Sequence, residues 1–411
     1  MENEKTPGVL ARLRNALFNR ATTPEKYVER DRVWIPPRTL AGVPINEDNA
    51  LTVSAFHAAV RYLAQTVGQL PWHVHREIPG GSEVAQGHQV DRILHDRASP
   101  EYSSQAFREV MVSWALRYGN AVAEIEIDQV GRPVALHPIH PDRVTFLRAS
   151  EAMSDDYGDE IASGELYYRI DADTILAARH AYHIRGMPSD GPLGLSVVAY
   201  AAQSLGWAKA AQMFGAAFYG NGTHVGGSIE NKLPMSRESL AAQRAEVEAA
   251  HRGPNKAFSL IYLDAEASYK PFSPKMSDSQ FVEVHQHLVE EVCRWVGVPA
   301  SKVFHLLHAH YNNVEHEAIG VVVDSVSPWT LRFEAEANYK LFGQNRRGYF
   351  ARFNLRGLLR GSFADQNTGL EIMRRNGVIN ADEWRAYVDM NPIGPDKGRR
   401  RRRRCPALSA P

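Results

Sequence analysis

Apolar residues recur at three- and four-residue spacing through Val53, Phe56, Val60, Leu63, Ala64 and Val67, the period of a helix buried on one face. They predict a helix over 54–69 with Ser54 as its N-cap, stopped at Leu70-Pro71. Trp72 to Arg76 then alternates as a strand. Phe107, Val110, Met111, Trp114 and Leu116 predict a second helix over Ser103–Tyr118, ended by Gly119-Asn120. From Ala121 the period falls to two: AVAEIEID reads as a half-buried strand. VALHPIHPDRVTFL gives two short strands separated by prolines, and LYYRI (Leu166–Ile170) and AYHIRG (Ala181–Gly186) give two more. The stretch Ser154–Gly164 reads as an acidic loop. Residues 51–186 are therefore expected to form an α+β domain on an antiparallel sheet.

The pattern then changes. Ser189 to Gly222 is rich in alanine and glycine and apolar nearly all round, with Gly220-Asn221-Gly222 as its stop. A helix of about 25 residues there would be about 37 Å long. A helix without a polar face is buried on all sides, either as the central rod of one large domain or against copies of itself. Ala201, Leu205, Ala208 and Met213 are its candidate packing positions. A second long helix, Met276 to Pro299, opens on a capping box of Ser277 and Gln280. It places Phe281, Val284, Leu288, Val292 and Trp295 at helical spacing, and Gly297 and Pro299 close it. Between the two lie short strand candidates, GGSIE and FSLIYL, around a charged helix over 236–251. Beyond them, Val321–Phe342 reads as a helix kinked at Pro328. YFARFNL (Tyr349–Leu355) reads as a strand able to join the earlier sheet, and helical pieces follow over 365–376 and 380–390. Residues 1–50 look like an arm, in which Leu10, Leu13 and Leu17 could form one short helix before Pro36, Pro37 and Pro44.

Composition narrows the function. The 411 residues carry 47 basic and 47 acidic side chains, so net charge does not announce a nucleic-acid binder. The distribution does: Arg399, Arg400, Arg401, Arg402, Arg403 and Arg404 form one unbroken run. Such a run binds phosphate without reading bases, or is a solvated tail. Two cysteines, Cys293 and Cys405, exclude a disulfide framework and fit a reducing cytoplasm. The N-terminus lacks the apolar segment of a signal peptide. The longest apolar stretch, Val197–Tyr219, is broken by Gln203, Ser204, Lys209 and Gln212, so no membrane span and no membrane partner are expected.

Enzyme signatures are missing: there is no phosphate-binding P-loop, dinucleotide fingerprint or nucleophile elbow. One constellation has metal-like spacing, His305, His308 and His310 followed by Glu315-His316-Glu317. It reads as a solvated loop, as a metal-dependent hydrolase site of His305, His308, His310 and Glu315, or as a loop facing polyanion. No cofactor is implied.

Several ordered stretches resemble the portal (head–tail connector) proteins of tailed bacteriophages, the siphophage and prophage type. They are TVSAFHAAVRYLAQTVGQLPWHV, YGNAVAEI, LHPIHPDRVTF, IRGMPSDGPLGLSVV, GAAFYGNGTHVGG, SDSQFVEVHQHLVEEVCRWVGVP, HYNNVEHE and NADEWRAYVDMNPIGPDKG, in family order over 50–398. The His-rich loop and Gly394-Pro395-Asp396, where the family has a GGD, depart from the pattern. The resemblance implies an α+β portal fold and a ring, usually of twelve copies, with no catalysis of its own. It implies a wing over 51–186, stem helices over 187–222 and 276–299, and a small α/β clip over 223–275. A tunnel loop over 300–320, a kinked helix with a returning wing strand over 321–360, and a helical crown over 361–398 complete it, between the N-terminal arm and the basic tail 399–411. Double-stranded DNA would pass through the ring, with His305, His308, His310, Asn312, Asn313 and Arg399–Arg404 as candidate contacts. Ala201, Leu205, Ala208, Met213, Phe281, Leu288, Val292 and Trp295 would pack the stem. The implied partners are the terminase large subunit, the major capsid protein and a head–tail adaptor, with assembly in the bacterial host cytoplasm and residence at a capsid vertex of the virion.

Overall fold

The computed structural model describes residues 39–393 except 172–173, 189–190, 221–226, 232–233, 235, 252–266, 272–277, 306–318, 343–347, 356–357, 359–362 and 388–389. The chain divides into two units: Met1–Ala309 with Val323–Asn354, and His310–Val322 with Leu355–Pro411. Among its described residues the second includes the helices Phe363–Arg375 and Ala381–Tyr387. The account below concerns the first.

Helix α1, Ser54–Gly68, buries Phe56, Val60, Leu63 and Val67 as their spacing requires. Its cap differs from expectation. Ser54 is already helical, and the extended Val53 precedes it with no side-chain capping bond. A 3-10 turn, Asn49–Thr52, leads straight into the helix instead. Strand β1, Trp72–Ile78, follows, with β2, Gly81–Val84, as its hairpin partner. Helix α2, Ser104–Tyr118, is bounded as read: Ser103 accepts from the Ala106 amide (3.1 Å), and Gly119 closes it at φ 80°. Buried Arg108 on α2 donates to the Gly68 and Leu70 carbonyls at the end of α1 and to the Leu94 carbonyl. It thus satisfies carbonyls that helix geometry leaves open. Burial lowers its pKa to about 10.

Strands β3 (Asn120–Ile127), β4 (Pro133–Ile139), β5 (Val144–Arg148), β6 (Met153–Ser154), β7 (Glu160–Ile161), β8 (Leu166–Ile170), β9 (Thr174–Ala177) and β10 (Ala181–Arg185) follow. Six of them make two antiparallel sheets, ordered β10-β3-β4 and β5-β8-β9, which share a core of Val122, Ile139, Val144, Tyr168, Ile170 and Leu176. The β6–β7 hairpin replaces the acidic loop expected there. Its Asp155 is buried, and its carboxylate accepts from the Tyr157, Asp159 and Ala177 amides, so the acidic residue is the anchor of the turn. Strand β9 carries no alternation strong enough to predict it.

After the helices described below, helix α7 (Ser327–Lys340) and strand β13 (Tyr349–Phe353) return to the start of the unit. Strand β13 pairs antiparallel with β1, Trp72 opposite Phe353. Pro328 does not kink α7. It sits in the first turn, where its missing N–H costs nothing, and the irregularity is a π-helical turn before it, Val321–Val326. Helix α7 runs along the edges of two sheets. Toward β10, Glu336 Oε1 accepts from His183 N (3.1 Å), and Lys340 Nζ donates to the Ala181 (2.9 Å) and Ala178 carbonyls. Toward β13, Asn338 Oδ1 accepts from Ala351 N (2.7 Å) and Glu334 Oε1 from Phe353 N (2.7 Å).

Candidate functional site

Helix α3 (Val197–Tyr200) and helix α4 (Ala202–Gly220) are the apolar rod of the sequence, broken once at Ala201, whose ψ of 6° leaves the helix. Strand β11 (Gly227–Asn231), helix α5 (Arg237–His251) and strand β12 (Ala267–Pro271) form the insert, with β11 and β12 antiparallel. Helix α6 (Asp278–Val296) then comes back to pack on α4 and α1. Ser277 of the expected capping box and the expected strand FSLIYL lie outside the described residues.

Ala201, Leu205 and Ala208 on the first rod and Leu288 and Val292 on α6 are buried within a single chain. The rod is therefore not bare on all sides: α2 packs on its first turn, α3, and α6 packs along α4, so its first half is sheltered. What is left to solvent is largely aromatic, with one methionine. Trp207 is 43% exposed, Met213 57% and Trp295 43%, with Phe214 and Tyr200 also exposed. Single exposed apolar residues are ordinary, but several grouped on one helix pair mark an interaction surface. The side chain of Phe281 lies outside the described residues.

Polar groups hold the two tryptophans in place. Ser204 Oγ donates to Glu291 Oε1 (2.6 Å) and accepts from Trp295 Nε1 (3.1 Å). His287 lies 3.8 Å from Glu291 Oε2, and its ring is 6.3 Å from that of Trp207. Cys293 is buried beside this group, its thiol pushed up to about 11 by burial and then by Glu290, which leaves it unreactive. The segment before α1 crosses α4 at Gly206, where a Cβ would stand 2.5 Å from the Thr39 side chain. The Leu40 amide donates to Gln203 Oε1 there (2.9 Å).

The joint between sheet and rod is tight. A Cβ on Gly194 would stand 2.2 Å from the Gly119 carbonyl oxygen, so only glycine lets these backbones meet. Asn120 Oδ1 accepts from Gly194 N (2.8 Å), and its Nδ2 donates to Gly194 O (3.2 Å). That orientation makes His183 Nε2 the donor to Asn120 Oδ1 (2.9 Å), leaving Nδ1 to accept from the Tyr168 hydroxyl (3.0 Å). His183 is thus neutral and buried, its pKa held well below the usual range by burial, then by Arg185 and Lys340. Ser196 caps α3 by accepting from Ala199 N (3.1 Å) and donates to the Arg117 carbonyl.

Of the histidine loop, His305 ends a 3-10 turn, Ala300–Val303, where its amide donates to Ala300 O (3.1 Å). His308, His310, Asn312, Asn313, Glu315 and Arg399–Arg404 lie outside the described residues. Among the described residues, Asp155, Asp159 and His180 form the group with metal-like geometry, which the sequence reading missed. Several of its lone pairs are already engaged. Asp155 takes three backbone amides, and Asp159 takes His180 Nε2 (2.6 Å) and Arg179 Nε (2.9 Å). A guanidinium on the carboxylate opposes a cation, so the group is a structural clamp.

A family model described as "Phage portal protein" matches residues 54–389. A "Probable portal protein" of Streptomyces phage phiC31 is 29% identical over 409 residues, covering 93% of this chain and 86% of that protein. The crystal structure of an HK97-family phage portal protein from Corynebacterium diphtheriae superposes with a TM-score of 0.55 at 14% identity, covering 77% of this chain and 98% of that one. A chain in the neck of a native gene transfer agent particle, computed with C12 symmetry, superposes with a TM-score of 0.52 at 18% identity, covering 88% and 98%. These likenesses show a shared fold.

Proposed function

The chain belongs to the phage portal protein family, and we propose that it is the structural subunit of a ring at one capsid vertex, through which double-stranded DNA is packaged and ejected. The observation that carries this reading is the family match over 54–389, together with an aromatic face left exposed on helices otherwise closely packed. A closed ring needs a heterologous contact between neighbouring copies. Trp207, Met213 and Trp295 supply apolar surface for one, whereas Ala201, Leu205, Ala208, Leu288 and Val292 hold each subunit's own stem together. Twelve copies form the ring; the C12 symmetry of the gene transfer agent neck supports that number.

In this reading residues 51–186 with β13 are the wing, 187–222 and 276–299 the stem, 223–275 the clip, 300–320 the tunnel loop and 361–398 the crown. DNA is contacted through its backbone without base readout. His305, His308, His310, Asn312, Asn313 and Arg399–Arg404 are the candidates for that contact. The subunit catalyses nothing itself; the terminase large subunit does the work, and the major capsid protein and a head–tail adaptor dock on the ring. Subunits assemble in the host cytoplasm. Neither the family nor the geometry of the described residues supports a metal-dependent hydrolase. Negative-stain imaging of the purified protein tests the reading. Annular particles with a central opening wide enough for duplex DNA are expected; a protein that stays monomeric at every concentration, even beside its capsid partners, would overturn it.

A further inference from the structure

Phe304 sits at φ 65°, ψ 22°, in the left-handed region, directly after the 3-10 turn Ala300–Val303. Phe304 N donates to Ser301 O and His305 N to Ala300 O, so Phe304 fills the place where a helix end ordinarily carries glycine. A side chain with a Cβ is strained there, and a bulky one most of all. Burial does not compensate, because Phe304 is 81% exposed. Within one subunit this residue therefore has a cost and no visible return. A strained backbone that displays an aromatic ring to solvent points to a contact made outside the chain.

We infer that Phe304 is a preset contact residue for a neighbouring copy of this chain, an inference that rests on the portal reading. The turn that carries it packs against α1 and α6, and Phe304 adds a second exposed aromatic to the half-exposed Trp295 nine residues before it. Duplex DNA is a poor alternative occupant. It presents phosphates, which an uncharged ring does not bind, and its bases are closed to stacking. The same chain exposes Val323 in the turn before α7 and Leu331 and Tyr339 on α7, apolar surface of the kind a protruding phenyl ring requires. A hook and a receiving surface on different elements of one chain are what a heterologous ring contact needs.

Phe304→Gly and Phe304→Ala in the full-length protein separate the strain from the contact. Glycine removes both the ring and the strain; alanine removes the ring and keeps the strain. Sedimentation velocity across a concentration series should show both variants half-assembled at concentrations about tenfold or more above wild type, as for loss of an interface aromatic. Denaturant unfolding below the assembly threshold should show Phe304→Gly with a folded-to-unfolded ratio about fivefold above Phe304→Ala. If wild type forms rings and both variants form them equally well, the inference falls and the portal reading stands. If both assemble normally but fail to package DNA, the residue serves the channel and the inference falls. If wild type forms no ring under any condition, the portal reading fails and takes this inference with it.

Discussion

Trp72 and Phe353 lie face to face, ring centroids 4.6 Å apart and 7° from parallel, one at the start of β1 and the other at the end of β13. Phe333 of α7 meets both edge-on, and the Arg108 guanidinium stands about 6 Å from each of the two stacked rings (6.0 and 5.9 Å). The stack is where the returning end of the unit is fastened to its beginning, joining β13 to β1.

Removing that fastening should be felt globally. Phe353→Ala is expected to cost about 3–5 kcal/mol, the range for truncating a buried phenylalanine. Trp72 Nε1 is buried with no hydrogen-bond partner, so Trp72→Phe forfeits area but no bond and should cost clearly less. Urea unfolding of the two variants, with equal losses as the contrary result, checks the order.

Gly206 and Thr39 should be coupled. Gly206→Ala improves helix propensity by about 1 kcal/mol but drives a methyl into Thr39. The single variant is expected to free the segment before α1, seen as faster proteolysis there. Adding Thr39→Gly should recover stability. A double-mutant cycle with a coupling near zero would mean that the segment does not rest on α4.

The exposed aromatic face of α4 and α6 should govern assembly and not folding. Trp207→Ala is expected to weaken each subunit contact by about 2 kcal/mol or more, with little change in the circular dichroism of the subunit. Leu205→Ala, fully buried beside it, should instead lower subunit stability by about 2–5 kcal/mol. Size distributions and melting curves that do not separate the two variants would contradict this division.

Acid should loosen the joint between β10 and the rod around His183. The pKa of His183 is depressed in the folded state, so the unfolded chain binds the extra proton. Its contribution is therefore complete above the unfolded value near 6.5 and is lost as pH falls below it. His75 and His88, also lowered chiefly by burial, act in the same direction. Urea midpoints should fall between pH 7.5 and 5.5, and His183→Gln should flatten that fall in part. An unchanged slope in the variant would acquit His183.

Much of this architecture is legible in the residues. The bounds of α2 follow from Ser103 and Gly119, and β13 follows from its alternation, because those signals are local. The hairpin around Asp155 was not legible: an acidic side chain in a polar stretch reads as solvated until the amides that surround it are known. Ser54 failed as a cap because the preceding 3-10 turn, a conformational detail without a sequence signature, leads into the helix in its place. At the candidate interface, alanine-rich composition identified the rod, and the spacing of Phe281, Val284, Leu288, Val292 and Trp295 identified α6, but neither says which side each helix turns to the other. Leu205 and Met213 are both apolar positions on one helix, and only its packing with α6 and the rest of the chain decides that the first is covered and the second is not.

Helix α7 has one more consequence. Through Glu334, Glu336, Asn338 and Lys340 it occupies the outer edges of both β10 and β13, the places where a stray strand from another molecule would add itself. Many copies crowded together during assembly thus find those two margins closed to fibril-like growth, and association is steered away from open-ended aggregation.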